Sequence, residues 1–284
     1  MIKLALTDLD DTLIPAGTAP ASDRALAAMR TAMAAGVHCG PVTGRAPSLL
    51  PWLMGEGTED CWATGAFANG QIVRLDGRTI REVSLPRKGL ERLVEVLDGI
   101  DGAWLMTHDA WSTDYSRFVT TRPDALRAAS PERYQPDVPV TRELPETEVV
   151  KANIVFSCGS EGWTPARDAL NDAVPELDFV FPGQGVPVLD ITPRGWDKGK
   201  GVLCLAEALG IGPDEVAVFG DSQNDLSMLA AVPNSVAVAN ATPEVRAAAR
   251  WHIGASADGA LPDALEEIAR AFAEARMPSF MTEA

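Results

Sequence analysis

The run Ile2–Thr7 leads directly into Asp8-Leu9-Asp10-Asp11-Thr12-Leu13, so three carboxylates crowd the end of what its aliphatic side chains predict as a short buried strand. Two unit charges about 4 Å apart repel by roughly 4 kcal/mol at an effective dielectric near 20. The cluster therefore requires a compensating cation or a solvated surface. Downstream, Ser22 is placed to cap a helix through Ala35, with Leu26, Met29 and Met33 on one face and Gly36 as its stop. Val37–Val42 then reads as a second strand that ends at Thr43-Gly44-Arg45. Strand, helix and strand in this order predict a parallel sheet with a right-handed crossover.

The same alternation returns near the C-terminus. It predicts a helix over 201–209, strands over 216–219 and 235–239, helices from about Asn224 and over 244–249, a short strand over 251–255 and a last helix over 261–273. The two ends thus read as halves of one α/β domain, a doubly wound, mostly parallel sheet over 1–81 and 190–284. Asn69-Gly70 lies between short apolar runs as a hairpin turn does, since both residues tolerate positive φ. From 82 to 189 the texture changes. A helix over 89–97, strands over 103–106 and 152–158, a Pro-rich connection, a helix over 165–173 and strands over 177–181 and 186–190 predict an inserted α+β cap domain. The final stretch, 276–284, reads as a mobile tail.

With 284 residues, 46% of them hydrophobic, the chain is long enough for a large core and near the size at which cores divide. A formal charge of −16 argues against nucleic acid and anionic membranes as partners, because both are bound through clustered Lys and Arg. No stretch approaches the ~20 apolar residues of a membrane span, and an acid cluster stands where a signal peptide would be apolar, so a soluble, cytoplasmic protein is expected. Cys39, Cys61, Cys158 and Cys204 form no C-x-x-C pair and are expected to be buried free thiols.

In an open parallel sheet, ligands bind outside the carboxyl ends of the strands. Asp8, Thr43 and Asp221 each follow such a strand, so three polar signals converge on one edge. The segment Gly220-Asp221-Ser222-Gln223-Asn224-Asp225 carries a second acid pair. Hard oxygen ligands from two strand ends suit Mg2+, which takes one or two carboxylates and shares phosphate oxygens with a substrate.

The ordered set Asp8-Leu9-Asp10-Asp11-Thr12, Thr43-Gly44-Arg45, Lys198-Gly199 and Gly220–Asp225 resembles the four motifs of the haloacid dehalogenase superfamily. The insertion between the second motif and the lysine resembles the Cof-type sugar-phosphatase branch. This resemblance implies a magnesium-dependent phosphatase in which Asp8 attacks phosphorus to form an aspartyl-phosphate. Asp10 would protonate the leaving alkoxide and later deprotonate water. By the same resemblance Thr43, the Gly44 amide, Lys198 and Asn224 bind phosphate. Mg2+ is held by the Asp8 carboxylate, the Asp10 carbonyl and Asp221, with Asp225 in support. The expected partner is a small-molecule phosphate ester. Two departures stand out: Asp11 occupies a position where many relatives have Gly, and Trp196-Asp197 before Lys198 is bulkier and more acidic than is common there.

Two other readings share these residues. A phosphomutase would use the same nucleophile but return the phosphate to a sugar. A non-catalytic phosphate-binding or regulatory module could use the acid pair for magnesium alone, although signalling receivers of that type are shorter and lack such an insertion. The aromatic residues Trp104, Trp111 and Tyr115 are expected in a core rather than a site, and His38, His108 and His252 show no triad or ligand spacing.

Overall fold

In the computed structural model, which describes residues 1–113, 116–131, 137–183 and 185–282, β1 (Leu4–Thr7) is buried along its whole length. Helix α1 (Asp23–Ala34) starts where Ser22 Oγ accepts the Ala25 N–H at 3.2 Å. It ends at Gly36, whose φ of +100° breaks the helical path. Its buried face is Ala25, Leu26, Ala28, Met29 and Ala32, while Met33 is only half-buried. The chain then forms β2 (His38–Pro41), α2 (Leu50–Met54), β3 (Gly65–Phe67), β4 (Ile72–Leu75) and β5 (Arg78–Glu82). Strands β3, β4 and β5 make a small antiparallel sheet. The β3–β4 turn takes positive φ at Ala68, Asn69 and Gly70, as the Asn-Gly pair predicts.

Two compact units divide the chain: residues 1–82 with 197–284, and residues 83–196. The second contains α3 (Arg87–Leu97), β6 (Ala103–His108), β7 (Arg117–Val119), α4 (Pro123–Ala129), β8 (Val140–Thr141), β9 (Lys151–Phe156), α5 (Trp163–Ala173), β10 (Leu177–Val180) and β11 (Val188–Pro193). Its six-stranded sheet has the order β10-β11-β9-β6-β7-β8. Leu90, Leu93, Leu105, Ile154, Leu170, Leu177 and Ile191 share its main core. A polar chain runs across β6, β9 and β11. His108 Nε2 bonds Asn153 Oδ1 at 2.9 Å, and Asn153 Nδ2 and Lys151 Nζ both donate to Asp190 Oδ1 at 2.5 Å.

The structure differs from the sequence reading in the unit boundaries and in the elements found. Residues 190–196, expected in the doubly wound core, belong to the second unit because β11 continues to Pro193, paired antiparallel with Leu177 of β10. Elements β7, α4 and β8 also stand where only a Pro-rich connection was expected. Pro123, which suggests a break, instead occupies the first turn of α4, where its missing N–H costs nothing. Trp104 is buried, as expected, with Nε1 on Ser157 Oγ at 2.9 Å, whereas Trp111 is exposed. Tyr115 lies outside the described residues.

Back in the first unit, α6 (Lys198–Leu209) begins three residues before the predicted start, because Asp197 Oδ1 accepts the Lys200 N–H at 3.0 Å and caps it. Then follow β12 (Val216–Gly220), α7 (Leu226–Ala231), β13 (Asn234–Ala237), α8 (Pro243–Ala248), β14 (Trp251–His252) and α9 (Ala260–Ala273). The main sheet has the order β14-β13-β12-β1-β2, with every pair parallel. This is the doubly wound α/β architecture read from the sequence, with β1 between β12 and the edge strand β2.

The predicted mobile tail is a correction. Arg276 binds Glu267 and Glu274, a 3-10 turn forms over Ser279–Met281, and Met281 is buried. Phe280 packs near Phe219 of β12, with ring centroids 6.4 Å apart. Cys39 and Cys61 are buried free thiols, but Cys158 and Cys204 are only half-buried. Among the described residues, no helix is long and apolar enough to cross a membrane.

Candidate active site

The parallel pairing of β1 with β12 brings the two acid segments side by side. Asp8 leaves β1 with its N–H on the Phe219 carbonyl at 2.9 Å, and Asp221 follows β12 by one residue. The chain then turns tightly: the Leu9 carbonyl accepts from Leu13 at 3.0 Å and from Ile14 at 2.8 Å. Asp11 takes φ +59° within this turn, which explains why glycine suits the position and why aspartate, tolerant of left-handed backbone, also fits. Thr12 Oγ1 donates to Asp221 Oδ1 at 2.9 Å, so the two segments are tied by side chain as well as by sheet.

The second acid segment is braced from within. Asp225 Oδ2 accepts the N–H groups of Asp221 at 2.9 Å and Ser222 at 3.0 Å. Ser222 Oγ donates to Asp221 Oδ2 at 2.6 Å. Lys198, at the first position of α6, is wholly buried and donates to Asp8 Oδ1 and Asp225 Oδ1, both at 2.6 Å. Asp197, the acidic residue that departs from the usual pattern, caps α6, and the next side chain, Lys198, enters the cluster.

Burial dominates the electrostatics. It pushes the Asp8 carboxyl well up, Lys198 pulls it down, and Asp225, Asp221 and Asp10 push it up again. Burial, then Asp225, raises Asp221 to about 6. Burial alone would lower Lys198, but Asp225 and Asp8 outweigh it and hold the ammonium charged. Three buried carboxylates against one lysine leave an excess of negative charge that a cation would offset. Asp8, Asp221 and Asp225 each present an oxygen within 4.8 Å of the others, a hard-donor set suited to a divalent ion. Both oxygens of Asp225 are already engaged, which makes it a brace. Asp8 Oδ2 accepts no hydrogen bond among the described residues.

The other expected residues line the same edge. Thr43 is buried just beyond β2, with its N–H on Ala66 O at 2.9 Å, and half-buried Gly44 follows. Asn224 is buried, and its Oδ1 has no hydrogen-bond partner among the described residues. Asp10 does not join the buried cluster. Its carboxylate lies near the surface, gripped at two points by Arg45, Nε to Oδ2 at 3.0 Å and Nη2 to Oδ1 at 2.9 Å. Arg45, Thr12 and Ser222 lie within the motifs, and the sequence alone assigns them no role. Their only signal was position: each lies within two residues of an acid or of Thr43.

Acids from neighbouring parallel strands meet a buried lysine at the carboxyl edge of a doubly wound α/β sheet. The sequence pattern of haloacid dehalogenase-like hydrolases matches residues 5–265, and the chain belongs to that family. It is similar to the HMP-PP phosphatase of Klebsiella pneumoniae, with 25% identity over 258 residues that cover 87% of this chain and 88% of the relative. Solved structures that share its fold include two that cover nearly the whole chain. One is SMU.1108c from Streptococcus mutans, with TM-score 0.77, 18% identity and coverage of 94% of this chain and 98% of the other. The second is BT1666 from Bacteroides thetaiotaomicron, described among phosphatases of the same superfamily, with TM-score 0.75, 21% identity and coverage of 94% and 95%.

Proposed function

We propose that this hydrolase is a magnesium-dependent phosphatase that cleaves a small phosphate monoester, such as a sugar phosphate, through an aspartyl-phosphate on Asp8. The observation that carries the reading is the buried Lys198 ammonium at 2.6 Å from both Asp8 and Asp225. A free carboxylate repels a phosphate dianion; one paired with lysine inside an otherwise acidic pocket does so less. Asp8 Oδ2, the oxygen not held by Lys198, forms the bond to phosphorus while the ester oxygen departs. Asp10 gives that oxygen a proton, then takes one from the water that attacks phosphorus and regenerates Asp8.

Lys198, Thr43, the Gly44 amide and Asn224 hold the phosphoryl oxygens, so little reorganisation is needed as charge shifts. Magnesium would be held by Asp8, the Asp10 carbonyl and Asp221, with Asp225 as support, and when bound it supplies the positive charge that lets two anions meet. The acidic donor set and its uncompensated charge fit that ion. Unit 83–196 would be the inserted α+β cap domain of this reading. Cytoplasmic residence is part of the same proposal.

The test is phosphate release from a panel of sugar phosphates, p-nitrophenyl phosphate and HMP-PP, the compound for which the Klebsiella relative is named. Release should require magnesium and stop on addition of a chelator. Full activity in chelator, or none on any substrate with magnesium present, contradicts the reading.

A further inference from the structure

The loop that leaves β13 grips both acid segments. Asn240 Nδ2 donates to the Asp11 carbonyl at 2.8 Å, and its Oδ1 accepts the Ser256 N–H at 2.9 Å. Two residues on, the Thr242 N–H donates to the Asp221 carbonyl at 2.9 Å. The loop is itself fixed, with Ala239 N–H on Gly254 O at 3.1 Å and Ala241 N–H on Val238 O at 3.0 Å. The amide orientation of Asn240 is set by its partners, because a carbonyl and an N–H face opposite ends of the side chain.

The Asp11 carbonyl is a sensitive point to hold. It belongs to the left-handed residue of a turn that carries Asp8, Asp10 and Thr12, so rotation there swings all three relative to Asp221. Sheet pairing fixes where β1 ends, but not the tilt of the peptides beyond it. An exposed side chain anchored through Ser256 can fix that tilt, because each end of its amide is committed to backbone.

We infer that Asn240 is a positioning residue that locks the Asp8–Thr12 turn against Asp221, setting the spacing of the carboxylates for the metal and of Asp10 for proton transfer. The inference rests on the function proposed above. Outer-sphere hydrogen bonds to a metal site are typically worth about 10- to 100-fold in metal affinity or activity. For an exposed bond the lower end applies.

The experiment uses the full chain with Asn240→Asp and Asn240→Ala, and Ser22→Ala as a control that removes the α1 cap with similar loss of stability. Asn240→Asp keeps the shape and the Ser256 contact but sets an oxygen against the Asp11 carbonyl. Manganese binding is followed by electron paramagnetic resonance without substrate, and kcat and KM by p-nitrophenyl phosphate hydrolysis with magnesium. In both Asn240 variants, manganese affinity and kcat should fall roughly tenfold, with KM little changed, while the control retains all three. Amides over 11–14 should also exchange faster in the Asn240 variants alone. Wild-type manganese affinity and kcat in Asn240→Asp, or losses matched by Ser22→Ala, overturn the inference. A wild-type protein that neither binds manganese nor releases phosphate instead overturns the function on which it rests.

Discussion

Lys198 shows what a single residue can decide. Its ammonium is wholly buried and bonded to two carboxylates, an arrangement that gives little net stability but becomes costly when one side is removed. Lys198→Met leaves Asp8 and Asp225 facing each other with no counter-charge. In metal-free protein this should cost about 3 to 5 kcal/mol, read from the urea midpoint, and magnesium should recover part of it. Turnover should fall at least about 100-fold even where the variant is folded. Unchanged stability would mean that the lysine and the acids are not coupled.

At this scale the buried acids were legible because they follow strand ends in a recurring order. Arg45 was not, since a guanidinium next to a motif looks the same in sequence whether it meets solvent or grips Asp10 at two points.

Among elements, the hairpin turn and the start of α6 depend on each other. Gly70 has φ +86°, and a Cβ there would meet the Asp197 carbonyl oxygen at 2.5 Å and the Gly201 Cα at 3.1 Å. All of these are backbone atoms, so the clash is relieved only by moving the turn or the helix end that carries Lys198. Gly70→Ala should therefore destabilise the fold by about 2 kcal/mol or more and lower kcat in the folded fraction. A variant with wild-type unfolding and turnover would show that the approach is not tight.

Buried parallel strands were readable because both faces are apolar and helices separate them. Strand β5 was not, because Arg78–Glu82 is exposed throughout and its sequence carries no apolar alternation. Strands β7 and β8 are too short for periodicity to register.

For the whole molecule, the sequence reading puts the return to the α/β core at 190, whereas the compact units divide at 197. Residues 190–196 carry no local signal that separates the two units, and antiparallel pairing with β10 and β9 assigns them to the second. The C-terminus was misread for a related reason: its order comes from long-range ties rather than local pattern. Arg276 first, then the Ser279 N–H, hold the Glu267 carboxyl down at about 2.

A carboxylate lowered on folding stabilises the folded state fully above its unfolded value near 4.3, and that contribution is lost as pH falls toward 2. Protection factors of the amides in segment 276–282 should therefore be high above about pH 5 and fall progressively below pH 4, with Glu267→Gln weakly protected at every pH. Equal, pH-independent protection in both proteins would contradict the tie.

The most direct test of the account is to trap Asp8. Substrate and magnesium are mixed with enzyme, quenched in acid within one turnover, digested and mapped by mass spectrometry. The account predicts one phosphoryl group on the peptide that contains Asp8, absent in Asp8→Asn and absent without magnesium. Phosphate released at full rate with no phosphorylated peptide, or with the label on another residue, would contradict it.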